Sequence, residues 1–206
     1  MRSDFLLEPF TNTIYGVFNF TWPMVIISVV VMISLRVSYL IKNRKHFVLY
    51  KELLSLSFII YIMCLFQVVT FQDSVSWSSN NFIPFKEILR YNMGSRLFFK
   101  NVVGNMLMFL PYGFFVSYIL DSRKINLPLF LTVITSVSIE IVQMLIGRVF
   151  DVDDIILNVI GGCLGFLLYH LLQSIVERLP NVFKKDWFLN IVSIVILVII
   201  VVIILM

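Results

Sequence analysis

The sequence predicts an all-α fold, a polytopic transmembrane bundle of about six helices. Of its 206 residues, 60% are hydrophobic and only 14% are charged, and its mean hydropathy is +0.97. A soluble domain is about half apolar and a quarter charged. Six apolar stretches are each long enough to cross a bilayer, which takes about twenty helical residues. Because the longest polar stretch is about thirty residues, no separate soluble domain has room to fold.

Prolines mark the beginnings of two predicted spans and a break between two others. Pro23 and Pro128 fall in the first turn of the first and fourth spans, a position that proline favours. Pro111 lies inside the third span and is expected to kink it. Pro180 separates the fifth span from the sixth. The predicted spans are 22–41, 53–71, 101–120, 127–147, 155–173 and 188–206.

Three regions follow from these spans. Residues 1–21 form a predicted N-terminal interfacial segment, and residues 22–173 form the membrane domain, with a motif core at 80–173. Residues 174–206 form a basic loop and a C-terminal transmembrane anchor. This last span is almost wholly aliphatic and carries no chemistry, so an anchoring role is expected.

The distribution of Lys and Arg predicts the orientation of the spans, because cytoplasmic loops carry an excess of both. One side of the predicted bundle holds ten of the sixteen basic residues, so we assign that side to the cytoplasm. Both termini, the 72–100 loop and the 148–154 turn are then expected on the extracytoplasmic side. The ten residues are Arg36, Lys42, Arg44, Lys45, Lys51, Arg123, Lys124, Arg178, Lys184 and Lys185. The net charge of +4 is shared among loops, so no nucleic-acid partner is expected.

Polar residues converge on one predicted layer of the outer leaflet. Glu140 lies about 10 Å from the outer end of its span at 1.5 Å per residue. Charges at membrane depth cost at least a few kcal/mol each, so they are either functional or carefully paired. Three helices contribute to this layer, and the sequence therefore predicts one polar site. Its members are Asn101, Asn105, Glu140, Gln143, Arg148, Asp151, Asp154 and Asn158.

A structural role for many of these side chains stays open. Amide side chains often only join membrane helices, at about 0.6 kcal/mol per contact. Asp154 is expected to cap the fifth span, as aspartate favours that position. Glu140 differs, because a buried carboxylate needs a cation, several donors or a raised pKa; Arg148 is the nearest candidate partner. Gly161 and Gly165 have the spacing that allows close helix packing.

Four short motifs carry a family resemblance. They are NFIPF at Asn81–Phe85, the Asn-x-x-x-Phe-x-Pro-x-Gly pattern at Asn105–Gly113, Glu140-Ile-Val-Gln143, and Arg148-x-x-Asp151-x-x-Asp154-x-x-x-Asn158 followed by Gly161, Gly162 and Gly165. In their order and spacing they resemble the VanZ-like family of bacterial membrane proteins, over residues 80–173. The resemblance implies a multi-pass protein of the bacterial cell envelope. The family's founding member is associated with resistance to the glycopeptide teicoplanin. Asp153 is an extra acid beside Asp154, which leaves the frame of the aspartate pair ambiguous.

The first functional hypothesis is a resistance or envelope factor that binds an amphiphilic ligand, such as a lipoglycopeptide or a polyprenyl-linked cell-wall precursor. Membrane lipids are its other expected partners. Aromatic residues above the site, at Trp77, Phe82, Phe85 and Tyr91, support this hypothesis, although an interfacial belt has the same composition. The expected ligand-binding residues are Asn81, Arg96, Asn101, Asn105, Gln143, Arg148, Asp151 and Asn158.

The second hypothesis is an intramembrane hydrolase or transferase that acts on a lipid-linked substrate. Glu140 and Asp154 are then the catalytic residues, with Glu140 as general base. Asp151 and Asp154 are the only expected ligands if a divalent cation binds; no other cofactor is expected. No established catalytic motif occurs in the sequence. A small transporter or flippase is the third hypothesis, and the oligomeric state is not predicted.

Overall fold

The structure, a computed structural model, describes residues 2–71 and 80–205. Over these residues it is helical and contains no strand, which confirms the all-α fold. The long helices are α1 (Arg2–Lys42), α2 (Leu49–Phe71), α5 (Gly104–Leu120), α6 (Asn126–Leu145), α7 (Val152–Arg178) and α8 (Asp186–Leu205). Two short helices, α3 (Lys86–Arg90) and α4 (Arg96–Phe98), and a π-helix (Phe99–Val103) precede α5.

Five of the described helical stretches are long and apolar enough to cross a membrane. They are Thr21–Lys42, Leu49–Thr70, Arg96–Leu120, Asn126–Leu145 and Val152–Arg178. Over the described residues, α8 has a shorter apolar stretch, Asp186–Ile200. The chain is therefore a multi-pass membrane protein with five long spans and a shorter C-terminal apolar helix. The first helix was expected to begin near residue 22, but its backbone is helical from Arg2.

The chain divides into two compact units. The first comprises Met1–Thr21 and Cys64–His170, and the second comprises Trp22–Met63 and Leu171–Met206. In the second unit, the guanidinium of Arg36 donates two hydrogen bonds to the Glu52 carboxylate, at 2.7 and 2.9 Å. The backbone N–H of Tyr50 donates to Oδ1 of Asn190 at 3.1 Å, which joins α2 to α8.

The core of the first unit depends on close packing between α5 and α7. A Cβ atom added at Gly161 would lie 2.2 Å from the Met106 carbonyl oxygen, and one added at Gly165 would lie 2.1 Å from that of Leu110. Gly113 meets the Gly162 backbone in the same way. Such approaches exclude any side chain, so these glycines let the two helix backbones touch. The α7 face that carries Asn158 is thereby held against its neighbours.

Candidate functional site

The loop that contains the Asn81–Phe85 motif is paired with the turn before α7. The N–H of Asn81 donates to the Phe150 carbonyl at 2.8 Å, and the N–H of Val152 donates to the Asn81 carbonyl at 3.0 Å. The Asn81 side-chain amide also donates to Oδ1 of Asp151 at 2.8 Å, and its own Oδ1 accepts from the Ile83 N–H at 3.2 Å. These four bonds use every polar atom of a buried asparagine except one N–H, so Asn81 fixes the loop.

Asp153 anchors the next part of the same loop. Its side chain is only 1% exposed. One carboxylate oxygen accepts from the Phe85 N–H, and the other accepts from the N–H groups of Glu87 and Ile88, at 2.7 and 3.1 Å. Because these N–H groups lie at the N-terminus of α3, the carboxylate also interacts favourably with the helix dipole. Asp153 therefore has a positioning role that its place in the sequence did not reveal.

Asp151, and not Asp154, caps α7. Oδ1 of Asp151 accepts from the Asp153 N–H at 2.9 Å, and α7 begins at Val152. This is the bond that an N-cap side chain makes to the second residue of a helix. The expected cap at Asp154 is wrong because the helix begins two residues earlier than that residue. Partial burial raises the pKa of the Asp151 carboxyl above its usual range, while its hydrogen bonds act in the opposite direction.

Glu140 and Asp154 lie close to one another near this cap. Glu140 is 1% exposed, and its Oε2 accepts from the Asp151 N–H at 3.0 Å. Asp154 is half-buried as a residue, and its carboxylate accepts from the Asn105 side-chain amide. The charges of Glu140, Asp151 and Arg148 all act on Asp154. One residue from each of α5, α6 and α7 thus meets in an acidic cluster, which we define as Asn105, Glu140 and Asp154.

Arg148 makes its closest contact with a carbonyl group. Its Nη1 donates to the Val69 carbonyl at 2.6 Å, and the Gln143 side chain donates to the same oxygen at 3.2 Å. Val69 lies in the last turn of α2, where carbonyl groups lack helical donors. Arg148 still interacts favourably with the charge of Glu140. The ion pairs Arg36–Glu52 and Arg90–Glu87 of the described residues do not involve Arg148.

Asn158 extends the polar contact between α6 and α7. It is 4% exposed, and its Nδ2 donates to Oγ of Ser136 at 3.0 Å. Ser136 and Glu140 are four residues apart on α6, as Asp154 and Asn158 are on α7, so each pair shares a helix face. Within the described part of the chain, Oδ1 of Asn158 has no hydrogen-bond donor. Buried acceptors nearly always have a hydrogen-bond donor, so this oxygen is available to a bound molecule.

Asn101 makes its hydrogen bond outside the acidic cluster. Asn101 lies in the π-helix and donates to the Tyr91 hydroxyl at 2.9 Å. Burial raises the pKa of the Tyr91 hydroxyl, and the charge of Asp154 acts on it in the same direction. Arg96 begins α4 and is partly buried. Tyr91 therefore connects the 80–95 loop to the π-helix, whereas Trp77 lies outside the described residues.

The described residues contain no group of three or more His, Cys, Asp or Glu side chains placed to hold a metal ion. Asp151 directs its Oδ1 to Asn81 and to the Asp153 N–H, and Asp154 bonds Asn105. A cation bound by Asp151 and Asp154 remains a prediction that this geometry does not support.

Sequence reasoning missed Asp153, Val69, Ser136 and the anchoring role of Asn81. The helical spacing of Ser136 and Glu140 could have identified Ser136. The contacts of Asp153 and Val69 join residues 66 and 79 positions apart, and no local pattern indicates them.

Comparison with curated proteins and with solved structures gives no match to the chain. Comparison with protein families does: residues 58–173 match the VanZ/LLP1 model. This stretch runs from α2 to α7 and includes the paired loop and turn, the acidic cluster and the glycine contacts. The four motifs therefore resemble the family because the chain belongs to it, and this protein is a multi-pass membrane protein of the VanZ/LLP1 family.

Proposed function

We propose that this protein is a cell-envelope factor whose acidic cluster binds the polar headgroup of an amphiphilic or lipid-linked ligand in the outer leaflet. The observation that carries the proposal is that buried oxygen atoms of the polar site accept fewer hydrogen bonds than they can. A carboxyl group accepts hydrogen bonds at both of its oxygens, so two of them offer several acceptor positions. Over the described residues, Glu140 and Asp154 each accept one hydrogen bond, and Oδ1 of Asn158 accepts none.

Acceptors without donors favour a ligand that is rich in hydroxyl, amide or ammonium groups. Lipoglycopeptides and polyprenyl-linked cell-wall precursors both have such headgroups attached to an apolar chain. The chain can stay in the bilayer while the headgroup donates to the cluster. Asp154 and Asn105 are only partly buried, so they are the side of the cluster that a ligand reaches first.

Teicoplanin susceptibility tests this proposal in a sensitive Gram-positive host. The host expresses wild type, Glu140→Gln, Asp154→Asn or Glu177→Gln at matched membrane levels. Glu177 is exposed, so Glu177→Gln is a control for loss of one negative charge. We expect wild type and Glu177→Gln to protect the host and the two cluster variants to lose protection. An unprotected wild-type host, or protection by all four proteins, would contradict the proposed role.

A second candidate is an intramembrane hydrolase or transferase acting on a lipid-linked envelope substrate. The observation that favours it is that the Glu140 carboxyl group lies close enough for its charge to act on Asp154. Two neighbouring carboxyl groups can hold one proton between them and act as acid and base. Purified protein incubated with a polyprenyl-linked precursor would release a product that Glu140→Gln cannot form. Stoichiometric binding without turnover would favour the binding role instead.

A further inference from the structure

The segment between Phe82 and Ser95 combines exposed apolar side chains with a net positive charge. Leu89 is 82% exposed and Met93 is 90% exposed, the largest exposed fractions among the described large apolar residues. Phe82, Ile83 and Phe85 are each more than half exposed. Residues 82–95 lie outside the five spans, so lipid packing around a span does not account for this exposure.

The net charge of this segment is positive. Residues 82–95 contain two basic residues, Lys86 and Arg90, and one acidic residue, Glu87, and Lys100 adds a positive charge near the beginning of the next span. Glu87 pairs with Arg90 at 3.2 Å, but the Arg90 side chain remains 71% exposed. Lys86 and Lys100 are exposed as well. Basic and apolar side chains interspersed over a short stretch are typical of segments that lie in a membrane interface rich in anionic lipid.

The backbone of the segment is fixed in place before any lipid is present. Asn81 is hydrogen-bonded at one end, and the Asp153 carboxylate holds the N–H groups of Phe85, Glu87 and Ile88. Phe85 has φ of 66°, a left-handed conformation that a bulky residue rarely adopts. The first span that follows begins at Arg96. A rigid segment within a few residues of a span end has to lie near the bilayer surface.

We propose that residues 82–95 form an interfacial segment, in which Leu89 and Met93 enter the acyl region while Lys86 and Arg90 bind the headgroups of anionic phospholipids. The segment thereby places an anionic lipid beside Tyr91, whose hydroxyl is bonded to Asn101 next to the acidic cluster. This surface and its ligand differ from those of the acidic cluster, so the lipid contact does not depend on the proposed function.

Tryptophan fluorescence in proteoliposomes tests the insertion. Leu89→Trp and Met93→Trp are placed singly in a full-length chain whose three native tryptophans are replaced by Phe, so that each variant contains a single indole. The native tryptophans are Trp22, Trp77 and Trp187. Brominated acyl chains quench an indole that lies in the bilayer, whereas aqueous acrylamide quenches one that lies in water.

Two further single-tryptophan variants calibrate the quenching. Ile134→Trp, on the lipid-accessible face of α6, reports a span position, and Arg123→Trp reports an exposed loop. We expect brominated lipid to quench the Leu89→Trp and Met93→Trp variants as it quenches the Ile134→Trp variant. Quenching of both by acrylamide, as for the Arg123→Trp variant, with none by brominated lipid would overturn the proposal.

Lipid selectivity tests the headgroup contact in the same proteoliposomes. We expect brominated phosphatidylglycerol to quench the Leu89→Trp variant more than brominated phosphatidylcholine does at equal mole fraction, by about twofold. Lys86→Gln/Arg90→Gln should remove the difference, whereas Lys184→Gln/Lys185→Gln, with the same loss of charge elsewhere, should keep it. Added inorganic phosphate should not compete if the ligand is a lipid headgroup. If the two lipids quench equally when Lys86, Arg90, Lys184 and Lys185 are all present, the segment does not prefer anionic lipid. Competition by free phosphate would likewise contradict anionic-lipid binding.

Discussion

Asn81 and Asp151 are 70 residues apart in the sequence and form a two-residue parallel bridge, with a side-chain hydrogen bond of 2.8 Å between them. Both residues belong to motifs of the family-matched region. The bridge joins the loop before α3 to the turn that starts α7. Asp151 in turn donates its N–H to Glu140, so the loop, the helix cap and the acidic cluster share one residue.

Substitution of Asn81 should destabilise the protein by an amount that depends on the replacing side chain. Asn81→Ala removes the hydrogen bonds to Asp151 and Ile83, which should lower the free energy of unfolding by about 1–3 kcal/mol. Asn81→Asp keeps the acceptor for Ile83 but places a second carboxylate against Asp151, so it should be worse than alanine at neutral pH. The measurement is the thermal midpoint in detergent.

The pH dependence of Asn81→Asp provides its internal control. The pKa of Asp151 is already raised by burial, so acidification protonates it above the pH at which an ordinary aspartate takes up a proton. The repulsion is present above that pH and is lost as the pH falls. Asn81→Asp should therefore approach Asn81→Ala at acid pH. A constant difference between them from neutral to acid pH would exclude repulsion as the cause.

Asp153 and Asp154 should give different phenotypes although they are neighbours. Asp153→Asn replaces one carboxylate oxygen with a donor that faces backbone N–H groups, so about 3 kcal/mol of charge-assisted bonding should be lost. The loop should open, and trypsin should cleave after Lys86 and Arg90 faster in detergent solution. Asp154→Asn should leave that cleavage rate unchanged. Equal rates for wild type and Asp153→Asn would show that the carboxylate does not hold the loop.

The helices could be predicted from the sequence, but the roles of the acids could not. Hydropathy over about twenty residues is a local property, and it locates spans without knowledge of their partners. Asp153 and Asp154 differ by one position and therefore by about 100° around α7. Only the packing of α7 decides that one faces the loop and the other faces Asn105 and Glu140. The convergence of Asn105, Glu140 and Asp154 could be predicted because each lies within about two turns of the same predicted side of the bundle.

Replacing a glycine by alanine should destabilise the protein only where the glycine lies at a helix–helix contact. Gly161→Ala places a methyl group 2.2 Å from the Met106 carbonyl oxygen, where the backbone has to move. Overpacking of this kind costs about 1–3 kcal/mol, and more when backbone is the obstacle. We expect low membrane abundance and a lower thermal midpoint. Gly16→Ala meets open space and is the matched control. Equal behaviour of both variants would contradict the α5–α7 contact.

Arg148 should be coupled to Glu140 through charge and to Val69 through a hydrogen bond, and a double-mutant cycle can separate the two. Arg148→Met removes both interactions and should destabilise the protein strongly. Adding Glu140→Gln removes the charge that Arg148 offsets. The double variant should therefore be less destabilised than the sum of the two single variants, by about 1 kcal/mol.

Gln143→Met is the control, because Gln143 shares the Val69 carbonyl with Arg148 but has no charge. Its cycle with Glu140→Gln should be additive. If both cycles show the same coupling, shared packing rather than the Arg148 charge connects these residues.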